Sequence, residues 1–478
     1  MSTSIKKNFL YSSFLTVANY LFPLLTFPYV TRVLEVDNIG ICGYVDSIVN
    51  YFSLFSLLGI NTVGVRAIAS SKGDREAMSR AFSSLFWFNT VTTVVAAIIL
   101  VVTAYTVEKF QPYQDFLLVG IVKLVSVYFM VEWFYRGTEN FKYITVRTLV
   151  IKCVYVASIF VFVKKKDDVL IYYWLTVLSI AVNAVFNFCY SQKFVSLTFK
   201  NLEIKQHLRP LFYFGFYFFI TSMYTSFNVT YLGWHSTDEE VGYYTTAFKL
   251  YTILISIFTA FTGVMMPRMT NLLSQGKFDE FVQYISKSQS MLLAFSIPVI
   301  LFYAIFAPQI IEIVAGPGFE KAVMPMRIII PLILIIGFEQ VLVTQTLNPL
   351  KKDTIILLNS FLGAVVGLCS NYFLVPILLS SGSAVAWLLS ESAVLISSQY
   401  FVTKFIKLKF PFKSMFLMAL YNIPLLVLFM LGSKYMNFNC WVTVIVMGTV
   451  MVIYSLLLQC KMKNPVVLSL VNKFLKKA

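Results

Sequence analysis

The chain has 478 residues, of which 58% are hydrophobic and only 13% charged, against about 25% charged in a soluble globular protein. So few charges cannot cover a soluble body of this length, and lipid must be the solvent for most of it. The formal net charge of +16 sits on basic residues scattered between apolar runs, which sets membrane topology and excludes a nucleic-acid surface.

About 20 apolar residues are needed per bilayer crossing. By that measure the sequence predicts an all-α polytopic membrane protein of about fourteen transmembrane helices. The first run, 8–34, exceeds a signal-peptide core of roughly 7–15 residues and no small-residue cleavage site follows, so it is expected to stay as the first span. Spans follow at 40–66, 83–106, 114–135, 144–163, 169–194 and 208–233, then at 241–266, 288–315, 325–348, 354–377, 383–404, 412–432 and 438–460. The longer polar stretches, 70–79, 200–209 and 271–284, are loops, and no soluble domain is expected. Pro23, Pro28, Pro298 and Pro331 lie inside spans, where a missing N–H permits a bend.

Orientation follows from Lys and Arg. An inside N-terminus puts roughly 27 of the 38 basic residues on the cytoplasmic side and about 8 outside. The inside set includes Lys72, Arg75, Arg80, Lys404, Lys407, Lys409, Lys413, Lys476 and Lys477. Lys164, Lys165 and Lys166 dissent. Both termini are expected in the cytoplasm.

Two helix starts suggest an internal repeat, the competing reading being Gly-aromatic starts that look alike by chance. The second span opens Ile39-Gly40-Ile41-Cys42-Gly43-Tyr44 and the eighth opens Val241-Gly242-Tyr243-Tyr244-Thr245-Thr246, each after a short acidic loop (Glu35 and Asp37; Asp238, Glu239 and Glu240). Six spans separate them, an even number, so the copies run in the same direction and define a parallel repeat. The expected architecture is two six-helix lobes around a central cavity, 1–200 and 201–405, with two extra C-terminal helices and a basic tail in 406–478.

Charges inside spans are costly and mark cavities or partners. The candidates are Arg32, Asp46, Arg66, Lys123, Glu132, Lys152, Lys249, Glu312, Glu339 and Glu391. Cations lining a watery cavity would suit an anionic pyrophosphate, Arg by its planar fork and Lys by its point charge. Arg32, Arg66 and Lys249 fit that role best. The competing reading for Arg32 and Arg66 is snorkelling from span ends; Lys249 lies deeper, about nine residues into its helix. Asp46 aligns with Lys249 to within one position of the repeat, which suggests an ion pair. Glu339 and Glu391 have two readings, a site for a coupling H+ or Na+, or helix packing through Ser or Gln.

Enzyme signatures are missing. His207 and His235 lie near loops, no Gly-rich phosphate loop with Lys is present, and Cys42, Cys153, Cys189, Cys369, Cys440 and Cys460 show no zinc or disulfide spacing. No cofactor or metal site is expected.

Several stretches in order resemble the Wzx-type polysaccharide repeat-unit flippases of the multidrug/oligosaccharidyl-lipid/polysaccharide (MOP) exporter superfamily. They are VTRVLEVDNIG (Val30 to Gly40), LLGINTVGVR (Leu57 to Arg66), EWFYRGTENFKYITVR (Glu132 to Arg147), VGYYTTAFKL (Val241 to Leu250), PRM (Pro267 to Met269) and NYFLVPILLSSGSAVAWLLSE (Asn371 to Glu391). The resemblance implies an alternating-access transporter that carries undecaprenyl-pyrophosphate-linked oligosaccharide, an O-antigen or capsule repeat unit, to the periplasmic leaflet. It also implies membrane lipids as surroundings, and a polymerase and chain-length regulator as partners. By position Arg32, Arg66 and Lys249 match the family's cavity cations, with Asn61 and Asn228 as further substrate contacts and Asp46, Glu339 and Glu391 as gate or coupling residues. Relatives often carry an acid in the seventh helix where this chain has Asn228, a departure that bears on ion coupling there. The alternatives are a multidrug or cation antiporter of the same superfamily and a membrane glycosyltransferase or polymerase. The short outward loops argue against the enzyme.

Overall fold

The computed structural model describes residues 5–436 and 438–462, with side chains from Phe22 onward apart from residues 23 and 24. The Lys-rich end of the tail, with Lys476 and Lys477, lies outside the described residues. Among them the chain is helical almost throughout. The first elements are α1 (Ile5–Leu57), α2 (Ile60–Ser70), α3 (Arg75–Thr106), α4 (Gln114–Phe129), α5 (Glu132–Gly137), α6 (Phe141–Phe162) and α7 (Val169–Ser191). There follow α8 (Ile204–Thr225), α9 (Phe227–His235), α10 (Asp238–Ser274), α11 (Phe278–Val314), α12 (Val323–Ile329) and α13 (Leu332–Leu342). The last are α14 (Asp353–Ile406), α15 (Phe412–Tyr421), α16 (Ile423–Tyr435) and α17 (Cys440–Lys461).

Ten helical segments among the described residues are long and apolar enough to cross a bilayer, and the bent pair α15 with α16 makes an eleventh. Two long helices each hold two crossings, because α1 breaks at Glu35 (φ 65°) and α14 at Leu379 (φ 50°). With α8 and α9 as one broken crossing, the total is about fourteen, as the sequence predicts.

Several crossings break inside their span. The second ends at Leu57, where Leu58 and Gly59 take positive φ, and resumes as α2. Here α8 comes too close for a side chain: a methyl on Gly59 would press into the Gly215 amide and the Leu211 carbonyl. The fourth breaks at Val131 (φ 36°) before α5. Of the prolines, Pro331 stands at the α12–α13 break, whereas the non-helical residue in α11 is Phe306, not the expected Pro298.

Two compact units emerge. The first contains residues up to Thr245 together with Gly367–Ser383, and the second contains Thr246–Val366 and the chain from Ala384 on. The lobe boundary expected at 200/201 thus falls within the first unit, because α8, α9 and the first turns of α10 pack on the helices before them. In the first unit an aromatic core joins Phe82, Phe86, Tyr128, Trp133 and Phe134. In the second, Phe302 and Phe306 of α11 pack on Phe429 of α16.

The repeat appears as contact within the first unit. A methyl on Gly40 would overlap the carbonyl of Asp238, four residues before Gly242; a methyl on Gly242 would overlap the carbonyl of Val36, four residues before Gly40. Gly43 lies against Thr245, its mate in the repeat. The contact is therefore reciprocal, as across a two-fold axis.

Candidate functional site

Charges within the helices are gathered into a few partnered groups. In the first unit, Asp46 of α1 accepts from Lys123 Nζ of α4 at 2.8 Å and from the Tyr173 hydroxyl of α7 at 3.0 Å. Lys123 also approaches Asn50 Oδ1, one helical turn from Asp46, at 3.4 Å. The side chain of Lys123 is 10% exposed and that of Asp46 37%. The cation found on Asp46 is Lys123, where sequence alignment of the repeats suggests Lys249.

In the second unit, Glu339 of α13 and Glu391 of α14 are neighbours, with their carboxyls close to each other. Glu391 is 3% exposed and accepts from Trp387 Nε1 at 2.9 Å. Glu339 Oε2 is buried and receives no hydrogen bond from a fixed donor. Trp387 is wedged by Phe248 and Tyr251, at ring separations of 5.2 and 5.0 Å, on the turn of α10 that carries Lys249. Next to Glu339, Gln340 donates to Thr259 and accepts from Thr262 of α10. A single π-helical turn, Val343–Leu347, follows, and its Gln345 is fully buried with neither amide atom partnered. Such turns recur at functional sites because they redirect side chains within a helix.

The other sequence candidates are dispersed. Arg32 is exposed on α1 and donates to the Pro28 carbonyl; Asn61 is exposed on α2. Arg66, also exposed, lies over the Phe214 ring of α8 at 4.9 Å. Lys249 is half-buried. Asn228 is fully buried, donates to the Tyr224 carbonyl and accepts from Asn371 at 2.7 Å, so its amide ties α9 to the α14 segment of the same unit rather than facing a ligand.

The motif from Glu132 to Arg147 is a packing hub. Trp133 stacks on Phe82 at 5.3 Å and fills the space over Gly64, and the Tyr135 hydroxyl donates to the Asn187 carbonyl. Glu132 pairs with Arg136 and Arg147 at 3.4 and 3.8 Å, and Glu139 pairs with Lys72 at 2.7 Å. Sequence reasoning missed Tyr173, Trp387, Asn371 and Gln345. Only Trp387, one helical turn before Glu391, carried a spacing that could have found it.

Helices long enough to cross a membrane, broken within their spans and holding partnered charges at depth, define a multi-span transporter. The fold is that of the lipid II flippase MurJ, solved in an inward closed conformation: the TM-score is 0.77 at 13% identity, over 95% of this chain and 99% of that one. The polysaccharide biosynthesis protein family model matches residues 5–273, more than half of the chain, and the protein belongs to that family. The MatE family model matches residues 214–373. The chain is 25% identical over 348 residues to the "Putative O-antigen transporter" of Escherichia coli (strain K12), covering 71% of this chain and 82% of that protein. It is 23% identical over 400 residues to the protein of the same name from Shigella dysenteriae, covering 82% and 98%.

Proposed function

We propose that the protein is a flippase for lipid-linked oligosaccharide, moving undecaprenyl-pyrophosphate-linked repeat units between leaflets by alternating access. It is a transporter, not an enzyme. The observation that carries this reading is the similarity to an O-antigen transporter along 98% of that protein's length, in a chain whose helices hold partnered charges at depth. The direction is from the cytoplasmic to the periplasmic leaflet of a bacterial inner membrane, with both termini cytoplasmic. Arg32, Arg66 and Lys249 are the cations proposed for the pyrophosphate, and Asn61 is proposed as a further substrate contact. The Glu339–Glu391 pair is proposed to exchange a coupling H+ or Na+, since a buried carboxyl pair has a natural one-proton state. A polymerase and chain-length regulator are the partners expected downstream. Exchange of drugs or cations is the second reading, favoured by the MatE match over 214–373.

Two observations test the reading. Glycosyltransferase and polymerase genes beside this one would support it. Cells lacking the protein are expected to accumulate lipid-linked repeat unit on the cytoplasmic face. Normal delivery to the outer face, in a deletion strain with no second flippase, would overturn it.

A further inference from the structure

Helix α3 carries two cavities on one stripe. Near its start, a cavity of about 480 Å³ is lined by Arg75, Arg80, Lys200, Ser196, Thr198 and Asn201, among others. Further along, an apolar cavity of about 450 Å³ is lined by Phe86, Trp87, Val94, Val125, Phe129 and Leu197, among others. The α3 residues that line them recur every three or four positions from Arg75 to Ala97, so both cavities lie on one side of the helix. At 1.5 Å per residue their centres are about 20 Å apart. That is about half the full thickness of a bilayer with its headgroups, the length of one lipid leaflet.

The chain after α7 is laid along this stripe between them. Ser196 N donates to Ser79 Oγ at 3.1 Å, Thr198 N to Ser83 Oγ at 3.0 Å, and Trp87 Nε1 to the Thr198 carbonyl at 3.1 Å. Phe199 stacks on Trp87 at 4.2 Å yet remains 74% exposed. Such a ring belongs at the headgroup level, with an apolar face toward lipid. In the apolar cavity the hydroxyls of Thr90 and Tyr128 satisfy each other at 2.6 Å, leaving a wall suited to hydrocarbon. At the polar end Arg80 is paired with Glu76 at 2.8 Å. Among the described residues neither Arg75 nor Lys200 takes part in an ion pair, so the cavity keeps two uncompensated positive charges.

We propose that this stripe is a binding site for a bilayer phospholipid with an anionic headgroup: phosphate on Arg75 and Lys200, acyl chain along Trp87, Val94 and Phe129. The charge excess selects the headgroup, and the distance between the cavities matches one leaflet. The bound lipid would brace α3 against the 192–203 segment that leads into α8. This site is independent of the transport reading.

The test reads Trp87 fluorescence in the full protein reconstituted in vesicles. Phosphatidylcholine carrying brominated acyl chains is compared with brominated phosphatidylglycerol at equal mole fraction, and the signal of Trp87→Phe protein is subtracted to isolate Trp87. Brominated phosphatidylglycerol is expected to quench the more strongly, with a preference of about fivefold for each cation. Arg75→Gln with Lys200→Gln should remove the preference, and Arg75→Lys with Lys200→Arg should keep it. Equal quenching by both lipids in the unaltered protein would overturn the proposal, as would loss of the preference on adding millimolar inorganic phosphate. A stronger preference for a prenyl pyrophosphate than for phosphatidylglycerol would overturn it too, in favour of a cargo site.

Discussion

Lys123 and Asp46 illustrate how a membrane protein affords a charge at depth. The lysine is nearly dry, whereas its acid keeps 37% side-chain exposure, so the two are not equivalent. Asp46→Ala should strand the lysine and cost about 3–5 kcal/mol of stability. Lys123→Ala leaves the more exposed partner alone, and should cost about half as much. The double alanine variant should be more stable than Asp46→Ala alone; thermal unfolding in detergent gives all three values, and equal single costs would refute the asymmetry. At the other pair, Glu391→Gln retains an oxygen for Trp387 and should change stability by no more than about 1 kcal/mol. Repeat-unit transport in that variant is expected to lose its dependence on the proton or sodium gradient, measured in vesicles with each gradient imposed separately. Unchanged gradient dependence in both Glu391→Gln and Glu339→Gln would exclude the pair from coupling. The acids and lysines of these sites were legible in the sequence because an ionisable residue among apolar ones is conspicuous. Tyr173 was not, because tyrosine is common in membrane helices and only the folded neighbourhood shows its hydroxyl on Asp46. Asn228 was legible as polar but not as inward-tied, since its partner Asn371 is 143 residues away.

Helices were legible as spans but not as broken ones. Hydropathy sums over a window and is insensitive to one residue in the left-handed region. Leu58 and Val131 take positive φ inside predicted spans, whereas the breaks at Glu35 and Leu379 fall between the spans predicted at 8–34 and 40–66 and at 354–377 and 383–404. Conversely, Pro298 lies in uninterrupted helix and the break falls at Phe306, two residues before Pro308. The element contact most exposed to test is that of Gly40 and Gly242. Alanine at Gly242 would meet the Val36 backbone, which cannot rotate away, and should cost about 1–3 kcal/mol as overpacking. Gly263 on the same helix has nothing within 4 Å of an added methyl. Gly263→Ala should therefore stabilise α10 by about 0.5–1 kcal/mol. Thermal unfolding of the two variants side by side separates close approach from helix propensity.

For the molecule as a whole, the even number of crossings among the described residues predicts that both termini lie on one side. Reporter fusions at either end should therefore respond to the same compartment, and opposite readings would mean that a crossing has been miscounted. The loop containing Lys164, Lys165 and Lys166, which defies the charge rule, has a local reason. Lys166 Nζ reaches Glu35 at 2.7 Å and Asp37 at 3.1 Å, and its carbonyl accepts from Asn38. The cluster is exposed, where such ion pairs contribute little, so Lys166→Ala should change the melting temperature little. The same acidic loop precedes Gly40, whose contact with Gly242 has a wider consequence. A surface complementary to its own repeat mate is, to first approximation, complementary to itself. The first unit thus holds within one polypeptide the kind of self-matching face that a homodimer builds from two chains.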